Sequence, residues 1–156
     1  MNRLNFSIFS PKMGHTEGHN EKRIILNVCD KNGHVIQPVF DQIHNYLDFK
    51  MWWIENKVEL LYQECPISCN GKRSIAESVF HHLNSFDIEN EDEEFEDKFF
   101  FYRKSHSLRF SMRGTDIDDV YVGKCISGYE ISYYSKKSSW NYLIDLHGFF
   151  ERLQSS

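Results

Sequence analysis

Cysteine and histidine are the residue types here that could bind zinc. Cys65 and Cys69 have the spacing of one half of a tetrahedral site. A structural zinc site needs four ligands, usually as two close pairs, and no second close cysteine pair occurs in the chain. The nearest histidines, His81 and His82, fall in a predicted helix. The spacing of His15 and His19 is a still weaker zinc signal, because both lie in a glycine-containing loop. We therefore expect no metal and no other cofactor.

Motifs for nucleophilic catalysis and nucleotide binding are absent from the sequence. There is no G-x-S-x-G turn, and no cysteine lies in a recognisable protease signature. Cys125 falls in a predicted strand, where a buried thiol is the expected state. Residues 70–74 place one glycine and two cations before a predicted helix, and helix N-termini attract anions. The segment is too short for a phosphate-binding loop and is better interpreted as a loop that leads into a capped helix.

Acidic residues are concentrated in two segments. Eight of the eleven residues in 87–97 are acidic, and a second acidic group surrounds Asp118 at 116–119. The latter does not continue as a calcium-binding EF-hand loop. Residues 87–119 hold 11 acidic and 5 basic side chains, so they carry a formal charge of −6, against −5 for the whole chain. Such a region steers a basic partner, although acidic loops also serve solubility.

Alternating apolar residues and turn residues predict most of the elements around these segments. Ser74 and Glu77 form a capping box at the start of a helix that ends near Phe86. Asp145 can cap a C-terminal helix, and the spacing of apolar residues predicts another over about 39–50. The acidic run 87–97 is expected to be a solvated loop. Strands are predicted at 4–9, 22–29, 35–36, 52–54, 58–62, 99–102, 107–113, 120–122, 129–134 and 140–144.

Short strands joined by turns and mixed with a few helices are typical of the α+β fold class. We expect one compact α+β domain over residues 1–156, with an antiparallel sheet and two or three helices. Aromatic residues make up 15% of the 156 residues, which suits a half-buried sheet and also a recognition surface. The net negative charge argues against direct nucleic-acid binding. No apolar run is long enough to span a membrane or resembles a signal peptide, so we expect a cytoplasmic protein.

The last third of the chain carries a resemblance to a known family. Residues 128–134, 140–146 and 149–153 read GYEISYY, WNYLIDL and FFERL, which suggests a closing hairpin followed by an amphipathic helix. In this respect the chain resembles bacterial immunity proteins, the inhibitors encoded beside polymorphic toxins, including those of contact-dependent growth inhibition. The resemblance implies a tight heterodimer with a toxin domain, a nuclease for example, inhibited sterically and electrostatically in the cytoplasm of the producing cell.

These observations lead to one functional hypothesis and two alternatives. The hypothesis is an immunity protein, with no enzymatic activity, that covers the active site or an adjacent basic surface of its toxin. The alternatives are a small enzyme with an unrecognised active site and a phage or plasmid accessory protein that acts as a structural or homodimeric interaction module. The residues expected to contact the toxin are Glu91, Asp92, Glu93, Glu94, Glu96, Asp116, Asp118 and Asp119.

Overall fold

The first sheet contains three antiparallel strands from the N-terminal part of the chain. In a computed structural model that describes residues 1–11, 20–67, 72–85 and 92–156, the strands are β1 (Arg3–Phe9), β2 (Glu21–Cys29) and β3 (Val35–Asn45), in the order β1-β2-β3. Leu26 and Val28 alternate with less buried neighbours and face the core. The turn into β3 uses Gly33, whose φ of 88° is in the left-handed region that favours glycine.

The second sheet follows later in the chain and is also antiparallel. It contains β4 (Tyr121–Cys125), β5 (Gly128–Tyr134) and β6 (Ser139–Leu143), in that order. A parallel bridge between Asn2 and Ile144 joins the N-terminus to the end of this sheet. The C-terminal part of the chain also reaches the first sheet, because the Arg152 guanidinium donates a hydrogen bond to the Leu4 carbonyl at 3.0 Å.

Five α-helices are present in the described residues, where two or three were expected. The α+β class and the antiparallel pairing are confirmed, but the strands form two sheets and the domain is 38% helical. A 3-10 turn also covers Leu108–Phe110. The α-helices are α1 (Tyr46–Glu55), α2 (Lys57–Tyr62), α3 (Ile75–Asn84), α4 (Glu93–His106) and α5 (Leu146–Gln154).

The predicted caps of two helices are confirmed. The Ser74 hydroxyl accepts a hydrogen bond from the Glu77 backbone N–H at 3.1 Å, which caps α3. The Asp145 carboxylate accepts one from the Gly148 N–H at 2.9 Å and caps α5. These two boundaries follow from local sequence, because a cap needs only a side-chain oxygen within three residues of a free N–H.

The region 39–62 was predicted incorrectly in two places. Residues 39–45 belong to β3, and α1 begins only at Tyr46, where the Asn45 side chain accepts from the N–H groups of residues 47 and 48. The segments 52–54 and 58–62, predicted as strands, lie in α1 and α2. A short apolar run such as this one fits a buried helix as well as a strand, and periodicity alone does not separate the two.

The region 93–113 was also predicted incorrectly. The expected strands at 99–102 and 107–113 are the second half of α4 and the 3-10 turn with the residues after it. The acidic run, expected to be a loop, enters α4 from Glu93 onward, and residues 87–91 lie outside the described part of the chain. Acidic residues at a helix N-terminus complement the helix dipole, which explains why a segment of like charge is helical here.

The main core lies between the first sheet, α1, the second sheet and α5. Its centre is Trp53, whose ring centroid lies 4.5 Å from that of Phe149 and 6.3 Å from that of Phe49. A smaller cluster packs α3 and α4 on β4 through Ile75, Val79, Phe99, Tyr102 and Tyr121, with further residues around them. This second cluster fixes the orientation of α4, the helix that carries Glu93, Glu94 and Glu96.

Candidate binding surface on helix α4

Helix α4 begins within the acidic segment and uses part of it as a cap. The Asp92 carboxylate accepts hydrogen bonds from the N–H groups of Glu94 at 3.1 Å and Phe95 at 3.3 Å. Glu93, Glu94 and Glu96 occupy the first turn, where the dipole favours negative charge. These four of the predicted partner-contacting residues therefore have a structural reason to be acidic, whatever else they do. Glu91 lies outside the described residues.

The inner face of α4 is held by aromatic contacts with α3. The ring centroid of Phe99 lies 4.5 Å from that of His82, and the Phe95 ring lies 5.4 Å from the same imidazole. The Glu96 carboxylate lies 3.1 Å from His82 Nε2. Glu96 is therefore directed toward α3 and is only partly available to a partner.

The outer face of α4 combines exposed acids with exposed aromatic rings. Phe100 and Phe101 are 53% and 64% exposed, and their ring centroids are 6.1 Å apart. Lys104 lies over the Phe100 ring at 5.3 Å. We define the α4 face as the exposed residues Glu93, Glu94, Asp97, Lys98, Phe100 and Phe101. Aromatic side chains such as these are enriched at protein interfaces, whereas acids such as those beside them belong to the polar rim.

The predicted contact residues of the second acidic segment divide into two kinds. Asp116 and Asp118 are exposed. Asp119 is bound within the protein, because its carboxylate accepts hydrogen bonds from Ser107 Oγ at 2.7 Å and from the Tyr121 hydroxyl at 3.1 Å. Burial, together with the charge of Asp119, raises the pKa of Tyr121, so this hydroxyl stays protonated and can donate.

The two acidic groups lie toward opposite ends of α4. Asp119 is 3.7 Å from the Arg103 guanidinium, near the C-terminal end of the helix, whereas Glu94 lies in the first turn. Nine residues of helix separate Glu94 from Arg103, which corresponds to roughly 14 Å along the axis. The sequence predicted the acids but not the aromatic rings between them. The run Phe99–Phe100–Phe101 could have indicated these exposed rings. Three consecutive residues span about 200° of a helix and cannot all face one core.

A pocket of about 530 Å³ lies beside the N-terminus of α3 and is lined in part by Lys72, Arg73 and Ser74, whereas residues 70 and 71 of the segment weighed for phosphate binding lie outside the described residues. Among its lining residues, Glu130 is 6% exposed and accepts the Ile75 N–H at 2.6 Å. The Ala76 N–H donates to Ser132 Oγ at 3.1 Å. With the Glu77 N–H bound to Ser74, three of the N–H groups that would hold an anion already have partners within the chain.

The Cys125 thiol, which lines this pocket, is not activated as a nucleophile. Burial, together with the charge of Glu130, raises the pKa of Cys125, which favours the protonated thiol over the nucleophilic thiolate. Cys65 also lines the pocket, but Cys69 lies outside the described residues, as do His15 and His19. Within the described ranges, no three His, Cys, Asp or Glu side chains are grouped as a metal site requires.

A buried histidine lies at the C-terminal end of α4. His106 is fully buried and stacks on Tyr102 with ring centroids 3.8 Å apart. Its Nε2 lies 3.2 Å from the Glu59 carbonyl oxygen, and its Nδ1 lies 2.8 Å from Ser105 Oγ. Burial lowers the pKa of His106 to about 4. Nδ1 also lies 2.9 Å from the Tyr102 carbonyl oxygen, so each ring nitrogen faces a carbonyl acceptor, and the neutral ring can donate to only one of the two.

Comparison with protein-family models, with curated proteins and with solved structures found no match to this chain. Among the described residues, none of the helices combines the length and the hydropathy needed to cross a membrane.

Proposed function

We propose that this protein is a bacterial immunity protein that binds and neutralises a cognate toxin domain through the α4 face. The observation that carries the proposal is the pairing of Phe100 and Phe101, both more than half exposed, with the acids Glu93 and Asp97 on the same helix. Exposed rings of this size gain free energy when a partner covers them. The acids beside them favour a basic partner, such as the surface with which a nuclease holds phosphates.

Inhibition would follow from coverage of the toxin, without chemistry on it. The phenylalanines would enter an apolar depression, while Glu93 and Asp97 pair with cations at its rim. Because both acids are exposed, they remain available to raise the rate of association. The toxin and this protein would form a heterodimer in the cytoplasm of the producing cell.

The direct test is coexpression with the C-terminal domain encoded by the adjacent upstream gene. We expect this protein to protect cells from that domain and to form a 1:1 complex with it. Absence of a toxin-like domain in that gene, or toxicity that coexpression does not relieve, would contradict the immunity role.

Variants of the α4 face test where the toxin binds. F100A/F101A should weaken the complex about 30-fold or more, the effect of losing an interface anchor. E93K/D97K should slow association and reduce its dependence on salt. The matched controls are I126A, which shortens an exposed apolar side chain in the β4–β5 turn, and E151K, which reverses an exposed charge on α5. Equal affinity for F100A/F101A and I126A would exclude α4 as the contact surface.

The loop acids predicted from sequence need a separate variant. D116K/D118K reverses the two exposed carboxylates of that segment and leaves Asp119 in place. If the toxin covers both ends of α4, this variant slows association as E93K/D97K does. An unchanged rate would confine the interface to the N-terminal half of α4.

For a small enzyme, the alternative from another class, the larger of two pockets in the described part of the chain is the one beside α3. Its most buried carboxylate, Glu130, is engaged in binding the Ile75 N–H, which favours a structural role. The conservative variant E130Q should therefore lower the free energy of unfolding and leave protection against the toxin intact at temperatures where the variant is folded.

A further inference from the structure

Helix α1 is apolar on two faces, only one of which is covered by the domain. Phe49, Trp52 and Trp53 are buried on its inner side. On the outer side, Leu47, Met51 and Ile54 are 49%, 45% and 39% exposed. These three occur at positions i, i+4 and i+7 and therefore form one stripe, which we call the α1 stripe. A helix that is apolar on both sides is expected to be buried on both sides, so the stripe indicates an interaction surface.

Charged residues of opposite sign border the two edges of the α1 stripe. On one edge, Lys50 Nζ donates to the Ser156 carbonyl oxygen at 2.6 Å, and Lys57 Nζ lies 5.4 Å from the Phe150 ring centroid, so both lysines lie on the side of α5. Asp48 and Glu55, seven residues apart and both exposed, follow the other edge. At 100° per residue of α1, Lys50 lies on the opposite side of the stripe from Asp48 and Glu55. Lys57, the first residue of α2, lies on the Lys50 side because of its contact with Phe150.

This arrangement of charge is complementary to itself in one orientation. If a two-fold axis runs parallel to α1, the lysine edge of one copy meets the acidic edge of the other. If the axis runs across α1, the helices are antiparallel, lysines meet lysines and acids meet acids. A partner of uniformly basic or acidic surface would be attracted by one edge and repelled by the other, and like charges in direct opposition disfavour association.

We infer that the α1 stripe is the contact surface of a homodimer, in which two copies of this chain pack their α1 helices in parallel about a two-fold axis. The surface is separate from the α4 face and does not depend on the toxin-binding proposal. The stripe supplies only part of the roughly 800 Å² that each partner buries in a standard interface, so a weak dimer is expected. Dissociation constants in the micromolar range would populate it at protein concentrations of about 100 µM.

Sedimentation equilibrium of the full chain tests the dimer. The unmodified protein should be a dimer at the highest concentrations, and M51E, which places a charge in the centre of the stripe, should be monomeric. The control I126E makes the same change of net charge at a side chain that is 81% exposed in the β4–β5 turn, and it should dimerise normally. A monomeric unmodified protein at about 100 µM, or equal association of M51E and I126E, would overturn the inference.

Charge complementation tests the orientation. D48K/E55K makes both edges basic, and K50E/K57E makes both edges acidic, so each variant alone should be monomeric. An equimolar mixture should recover a 1:1 dimer, and adding M51E to either variant should abolish it. Failure of the mixture to associate would overturn the parallel arrangement.

Replacing Lys50 removes its hydrogen bond to Ser156 and could by itself disturb the fold. Disulfide crosslinking is a second measurement of the orientation that leaves both lysines in place. In the parallel arrangement each α1 position faces its own copy, so L47C and I54C should each form a crosslinked dimer with glutathione disulfide as oxidant, releasing two glutathione thiols per bond formed. The unmodified chain treated in the same way controls for its own cysteines. Crosslinks that form only when L47C and I54C are mixed would instead show an antiparallel pair and refute the inference.

Discussion

The burial of His106 predicts a defined dependence of stability on pH. Burial lowers the pKa of this imidazole to about 4 in the folded protein, against an ordinary value of 6.5. Between these values the unfolded chain binds a proton at this site that the folded protein does not. The free energy of unfolding therefore loses the contribution of His106 as pH falls from above 6.5 to about 4. The difference of 2.5 units corresponds to about 3 kcal/mol, of which nearly all is lost by pH 4.

The variant H106Q isolates this contribution, because glutamine keeps an amide donor near Glu59 but does not titrate. Urea unfolding followed by tryptophan fluorescence gives the free energy of unfolding for both proteins at pH 7 and at pH 4. The advantage of the unmodified protein over H106Q should be about 3 kcal/mol smaller at pH 4 than at pH 7. The carboxylates and the other histidines titrate in both proteins, so their contributions to the pH dependence of the free energy of unfolding cancel in the difference between the two proteins.

Two outcomes would refute the reasoning about His106. If the stabilities of the two proteins change in parallel between pH 7 and pH 4, the imidazole is not held neutral by burial. If the advantage of the unmodified protein grows as pH falls, the fold stabilises His106 as a cation, and its pKa is raised instead of lowered. The substitution H147Q, at an exposed histidine of α5, measures how far a change from histidine to glutamine by itself alters unfolding.

Two further substitutions test the packing around α4. G123A should lower the free energy of unfolding by about 1–3 kcal/mol, because a Cβ there would lie 2.9 Å from His106 Cδ2 and 3.1 Å from the Tyr102 hydroxyl, and thermal unfolding measures the loss. D119A should also cost about 1–3 kcal/mol, since it leaves two buried hydroxyl donors without their acceptor. The neighbouring exposed carboxylate provides the control, and D118A should change stability by less than about 0.5 kcal/mol. Equal effects of the two aspartate variants would contradict the internal role of Asp119.

The sequence predicted correctly the strands, turns and helix caps that depend on residues close together in the chain. The alternation in β1 and β2, the Asn32–Gly33 turn and the caps at Ser74 and Asp145 each depend on residues within a few positions of one another. The helices α2 and α4 were missed, and the helix predicted over about 39–50 covers only the first half of α1, because the apolar residues of these segments are consecutive and the distinguishing information is tertiary. Trp52 and Trp53 are helical in a domain where rings of α5 and the carbonyl of Lys104 surround them.

The candidate site shows the same division between local and distant information. Sequence located the acids of 92–97 but could not show that Asp92 is a cap or that Glu96 is directed to His82. Asp119 looked like a solvated loop residue, and its partners Ser107 and Tyr121 become visible only when the 3-10 turn and β4 are brought together. The exposure of Phe100 and Phe101 depended on recognising a helix in a segment with strong strand propensity.

The bridge between Asn2 and Ile144 has a consequence for how the chain acquires its structure during synthesis. Because these two residues are far apart in sequence, the bridge between them is expected to form late in folding. Closing so long a loop costs conformational entropy before any packing compensates for it. The Leu4 carbonyl must also wait for Arg152, which is translated 148 residues afterwards. A nascent chain on the ribosome can form the β2–β3 hairpin early, but β1 and the rings of the core remain without α5 until translation passes residue 150. Ordering of the main core is therefore expected to follow the emergence of α5, and the incomplete chain exposes aromatic surface that chaperones recognise.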